Sequence, residues 1–143
     1  MLIQSGRYAM LPKVGDTSSL TRTITQDDVR TFGTLVGDLN PLHVDEEFGK
    51  KTRFGRCIAH GMWGASLVST ILGTQLPGPG TIYLSQTLSF QAPIYPGDTV
   101  TARVTVLKVR EDKRIVTLET VCEDQAGKLL LKGEAVVLYE PVE

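Results

Sequence analysis

The stretch Gly61-Met62-Trp63-Gly64-Ala65-Ser66-Leu67-Val68-Ser69-Thr70-Ile71-Leu72-Gly73 decides the fold. It is apolar or small nearly all round, with Met62, Trp63, Ala65, Leu67, Val68, Ile71 and Leu72 at positions that cover every side of a helix. A helix without a polar face is buried within its domain or between subunits. Gly73 fits as its C-terminal stop.

Downstream of Gly80 the hydrophobic period changes from helical to two. Ile82, Leu84, Leu88 and Phe90 alternate with Tyr83, Ser85, Thr87 and Ser89, and Val100, Ala102, Val104 and Val106 alternate with Thr101, Arg103, Thr105 and Leu107. Residues 115–122 and 129–139 read as two more strands. The turns between the four are Pro96-Gly97-Asp98, Glu111-Asp112-Lys113 and 124–127. Hairpin-length turns make antiparallel neighbours, so these strands predict a meander with one face covering the buried helix. The class is α+β.

Upstream, 18–25 is rich in Thr with Leu and Ile and predicts a short strand. Thr25 is a candidate N-cap, with Asp27 and Asp28 in the first turn where the helix dipole favours them. Val29, Phe32 and Val36 follow at helical spacing, and Gly37 ends that helix. Pro41 lacks a backbone donor and turns Asn40 away from helical geometry. Residues 45–51 predict a second short helix, and 52–57 a loop.

The chain has 143 residues, 41% hydrophobic and 22% charged, with net charge −1. These values fit one globular domain spanning residues 1–143, with no repeat or linker. Near-neutral charge offers no basic surplus for nucleic acid. No run approaches the ~18 apolar residues of a membrane span, and residues 1–15 show no leader pattern, so a cytoplasmic protein is expected. Cys57 and Cys122 lie in no metal-like spacing and read as free thiols of a reducing compartment.

Chemistry concentrates in Gly37-Asp38-Leu39-Asn40-Pro41-Leu42-His43. A carboxylate and an imidazole five residues apart on a Pro-stiffened segment can bracket one water and exchange its protons. Asn40 can fix the loop through side-chain to backbone bonds. The competing reading is a plain turn shaped by Asp38 and Asn40, with His43 packed beside it. The second signal is Ala59-His60-Gly61-Met62, where the helix N-terminus offers free N–H groups to an oxyanion. Its competing reading is a packing glycine with a half-exposed His60. Asp38, Asp45 and the two histidines follow no recognised metal spacing, so no metal is expected. Lys50, Lys51, Arg53 and Arg56 are either a solvated surface or a partner for nucleotide phosphates. Ser66 and Ser69 on the apolar helix have no adjacent base motif that would make either a hydrolase nucleophile.

From Thr25 to Tyr139 the chain resembles the MaoC-like (R)-specific enoyl-CoA hydratases, in particular the small single-domain type linked to polyhydroxyalkanoate synthesis. That family's Asp-x-Asn-Pro-x-His motif stands complete at 38–43, followed by Asp45. His60 to Met62, the segment 82–90 and Pro96-Gly97-Asp98 also resemble it. The resemblance implies a hot-dog fold, a long central helix wrapped by a curved antiparallel sheet, usually as a homodimer with sheets joined edge to edge. It implies reversible syn hydration of a trans-2-enoyl-CoA to the (R)-3-hydroxyacyl-CoA, with acyl-CoA as substrate and no separate cofactor. Asp38 and His43 are then the catalytic pair, and the Gly61 N–H is the donor to the thioester oxygen. Asn40 fixes the loop, and Ser69 is a supporting residue near the site. Trp63 has no family role, and if it faces the acyl tunnel it shortens the accepted chain.

Three other activities compete. Dehydration of 3-hydroxyacyl groups on acyl carrier protein keeps the chemistry and changes the carrier. A thioesterase of this fold needs a carboxylate on or facing the central helix, and none lies between Gly61 and Gly73. A non-catalytic acyl-CoA-binding subunit has no need of both Asp38 and His43.

Overall fold

The computed structural model describes residues 10–140. The expectation for the N-terminal leader falls mainly on residues 1–9, outside that range.

Strand β1 (Thr17–Thr23) leads into helix α1 (Gln26–Val36). Two short helices follow, α2 (Pro41–Val44) and α3 (Glu46–Lys50), and then the long helix α4 (Gly61–Thr74). Strands β2 (Thr81–Gln86), β3 (Ser89–Phe90), β4 (Thr99–Arg110), β5 (Ile115–Glu123) and β6 (Leu129–Tyr139) complete the chain. The sheet order is β1-β4-β5-β6-β2, with β3 also on β6, and every pairing is antiparallel.

Local chemistry accounts for the upstream elements. In β1, Thr17, Thr21 and Thr23 face Thr105, Thr101 and Thr99, and each hydroxyl pair lies 2.8 to 3.3 Å apart. Such cross-strand pairs fix the register. Thr25 caps α1 in a complete capping box. Its hydroxyl accepts from Asp28 N, and the Asp28 carboxylate accepts from Thr25 N. Gly37, at φ 81°, ends that helix as expected. Asp45 caps α3 by accepting from Phe48 N.

The alternation read in β4 is the one observed: Val100, Ala102, Val104 and Val106 are buried. With Val116, Leu118, Leu130, Leu131, Ala135 and Val137 they receive Leu67, Val68, Ile71 and Leu72 from α4. Register shifts at Val106/Lys108 and Tyr83/Ser85 mark bulges, which bend strands.

Three expectations are corrected. The segment 82–90 is two short strands, and it pairs with β6 rather than with β4. Residues 91–98 are long enough to cross away from a hairpin, and β1 takes the edge of β4 through its threonine ladder. The alternation in that segment does not mark a buried face, since Ile82, Tyr83, Leu84 and Phe90 are all exposed in the single chain. Gly73 is inside α4, which runs on to Thr74 before Pro77. Within a single chain α4 is buried on one side, and its other side carries the exposed Met62, Ser66, Ser69 and Thr70.

Candidate active site

The motif residues sit where α1 ends and α4 begins. After Gly37 the chain folds back at Asp38, whose Oδ1 accepts from Asn40 N at 3.3 Å. Asn40 Oδ1 in turn accepts from Leu42 N at 3.1 Å, capping α2 with Pro41 at its first turn. Asn40 therefore holds the loop in the way read from the sequence. The turn read from Asp38 and Asn40 is present, and it delivers His43 at the end of α2.

His43 is buried in the last turn of α2, and its Nδ1 lies 2.6 Å from the Ile58 carbonyl. A carbonyl only accepts, so Nδ1 carries the hydrogen and Nε2 is left with a lone pair. Burial, the largest influence, lowers the His43 pKa below 6.5. The Ile58 hydrogen bond opposes that, the His60 charge adds to it, and Asp38 opposes it. The result is a neutral imidazole with one free acceptor, the form a general base requires.

His60 is the residue whose part the sequence left least visible. It is 3% exposed rather than half-exposed. Its Nε2–H donates to the Asp38 carbonyl at 2.9 Å, and its ring stacks on His43 with centroids 3.9 Å apart and planes at 32°. The Phe32 ring also lies against it, tilted by 53° with centroids 5.1 Å apart. Gly33 makes room for this: a Cβ there would stand 2.7 Å from Asp38 O and 3.3 Å from the His60 ring. A glycine inside a helix was the available signal in the sequence.

The Asp38 carboxylate is 52% exposed and lies 3.9 Å from His60 Nε2. Asp38, His43 and His60 bring one nitrogen or oxygen each within 4.8 Å of one another. One nitrogen of each imidazole meets a backbone carbonyl, His43 Nδ1 that of Ile58 and His60 Nε2 that of Asp38.

His43 and Gly61 line an apolar cavity of about 570 Å³ with Phe54, Ile58, Phe90 and Leu131 among its walls. As the first residue of α4, Gly61 has no intrahelical acceptor for its N–H, and the helix dipole adds positive potential there. Phe90 lies so close that a Cβ on Gly61 would be 2.6 Å from its ring. Ser69 does not join this group within one chain. It lines a second groove with Ser66, Tyr83 and Leu84, and Met62 borders both spaces. Trp63 packs on the core and is absent from the cavity wall, so it does not limit a chain bound there. The basic cluster disperses: Lys50 pairs with Glu47, Arg56 donates to the Pro96 carbonyl, and Arg53 lies on the cavity rim over Phe54.

The MaoC like domain family matches residues 12–126. The chain is 48% identical to the (R)-specific enoyl-CoA hydratase of Rhodospirillum rubrum, over 88% of this chain and 87% of that protein. It is 50% identical to the enzyme of that name from Aeromonas caviae, over 87% and 93%. The solved structure of the (R)-hydratase from Aeromonas caviae involved in PHA biosynthesis superposes with a TM-score of 0.88 at 48% identity, covering 92% of this chain and 99% of that one.

Proposed function

The chain belongs to the MaoC-like family, and from that premise we propose that it hydrates trans-2-enoyl-CoA reversibly to (R)-3-hydroxyacyl-CoA. The observation that carries the reading is the His43 imidazole on the wall of an apolar cavity, its Nδ1 held by the Ile58 carbonyl and one of its ring nitrogens within 4.8 Å of an Asp38 carboxylate oxygen.

The steps follow from these positions. Asp38 and His43 Nε2 hold one water. As its oxygen bonds to C3, one proton passes to Nε2 and the C2–C3 π pair moves into the thioester enolate. The enolate oxygen meets the Gly61 N–H at the head of α4. The proton on Nε2 then returns to C2 from the same face, which gives syn addition and restores the neutral imidazole. Asp38 stabilises the imidazolium while it exists, and Asn40 keeps Asp38 and α2 in register. The chemistry needs no redox or group carrier, so coenzyme A enters only as part of the substrate, and no metal is required.

Two further expectations belong to this reading. The chain works as a homodimer: among the described residues the outer edge of β2 has no strand partner, and Ile82, Leu84 and Phe90 stand exposed beside it. A second copy adding its own β2 covers that face and the groove holding Ser69. A cytoplasmic location suits an enzyme of free acyl-CoA, and no helix among the described residues is long and apolar enough to cross a membrane.

The test is the ultraviolet loss of the conjugated thioester with crotonyl-CoA, with Asp38→Asn alongside. Loss that the variant lacks, with the (R)-3-hydroxy product, is expected. No turnover with crotonyl or longer enoyl-CoA overturns the reading and directs the search to carrier-protein thioesters.

A further inference from the structure

His60 contacts the reactive pair in two ways, yet it has no place in the chemistry above. Its Nε2–H reaches the backbone carbonyl of Asp38. Its ring backs the His43 imidazole at 3.9 Å. Its Nδ1 is buried with no hydrogen-bond partner among the described residues. A buried, unmatched polar atom costs stability, and as N-cap of α4 the side chain makes no capping bond that would offset this. An apolar side chain of similar size would avoid that cost. Gly33 is also kept free of a Cβ at the point where one would strike both Asp38 O and this ring. Two elements thus accommodate one contact, and the contact leads to the reacting groups.

We propose that His60 is a positioning residue, tying the Asp38 loop and the His43 ring to the head of α4, the element that also presents the Gly61 N–H. The proposal rests on the hydratase reading for its meaning. The oxyanion donor and the two water-holding groups come from different segments, and His60 is adjacent in sequence to the first and in contact with both others. Misplacing a reacting group by about 1 Å can cost ~10²-fold in rate.

His60→Gln keeps an N–H at about the reach of Nε2 and removes the ring, whereas His60→Leu removes both. The groups facing the His43 ring are His60, Asp38 and the Ile58 carbonyl. Since the His60 charge helps lower the His43 pKa, loss of it shifts the His43 titration upward. Two measurements read this. In steady-state hydration, His60→Leu is expected to lose ~10²-fold in kcat with KM within about threefold, and His60→Gln to recover most of that loss. In ring nitrogen NMR without substrate, His43 is expected to titrate at higher pH in His60→Gln than in the parent chain. A folded His60→Leu with kcat within threefold of the parent overturns the proposal. So does a His43 titration unmoved in His60→Gln, which decides the matter even if the Leu variant fails to fold. The NMR arm stands apart from turnover, so an inactive parent chain would sink the hydratase reading and leave the positional claim to be judged by His43 alone.

Discussion

At the scale of single residues, one backbone carbonyl sets the tautomer of His43, and burial keeps its ring neutral. Replacing His43 by Ala, or Asp38 by Ala, is expected to lower kcat at least ~10²-fold with the fold intact, since a general acid or base contributes about 10² to 10⁴. Circular dichroism and crotonyl-CoA turnover check both parts, and a folded variant near the parent rate would remove that residue from the mechanism. The pH profile has a definite sign. The folded His43 pKa lies below the 6.5 of the unfolded chain, so between those values the unfolded state binds a proton that the folded state lacks. This contribution to stability is complete above 6.5 and is lost as pH falls through that window. The acid limb of kcat/KM is accordingly expected below pH 6.5. The cysteines behave as inert core groups: burial raises both pKa values, that of Cys122 to about 12. A thiol reagent is expected to label neither until the protein is unfolded.

At the scale of elements, α1 and α4 aim the site. The Thr25 capping box organises the start of α1, and Thr25→Ala is expected to cost about 1 kcal/mol in denaturant unfolding. Because the far end of α1 delivers Asp38, a fall in kcat larger than the fall in stability would show that the helix end transmits to the site. At the head of α4, Gly61→Ala puts a Cβ 2.6 Å from the Phe90 ring. The ring must move, and it moves along the cavity wall, so KM and kcat are both expected to worsen. Because Ala keeps the backbone N–H, unchanged kinetics in Gly61→Ala would show that the Phe90 ring does not shape the bound thioester. Such helix signals were legible because caps, glycines and prolines act within a few residues. The partner of the 82–90 segment was not, because a strand's neighbour is chosen across the sheet, and short strands carry little register information of their own.

At the scale of the whole molecule, one face is unfinished. Leu84 is 51% exposed and Phe90 53%, beside the edge of β2 that no strand among the described residues pairs with. Light scattering is expected to give twice the chain mass of 15.6 kDa. Leu84→Lys is expected to shift that toward the monomer and to reduce activity together with it. A monomeric and fully active parent would show that the groove beside Ser69 needs no second copy. Sustained dialysis against EDTA is expected to leave turnover unchanged, since the proposed steps use only Asp38, His43 and the Gly61 N–H.

The α+β class, the place of the long helix, the buried face of β4 and the turn at Asp38 and Asn40 were legible in the residues alone, because periodicities and local hydrogen bonds act over a few residues. The pairing of Asp38 with His43 as a catalytic unit came from the resemblance of 38–43 to the family motif. Only the tertiary structure decided the tautomer of His43, the burial of His60 against Phe32 and His43, the need for Gly33, the separation of Ser69 from the pair within one chain, and the removal of Trp63 from the cavity wall. Each depends on which distant segments meet. That is settled by packing the sheet against α4, where close approach admits some side chains and excludes others.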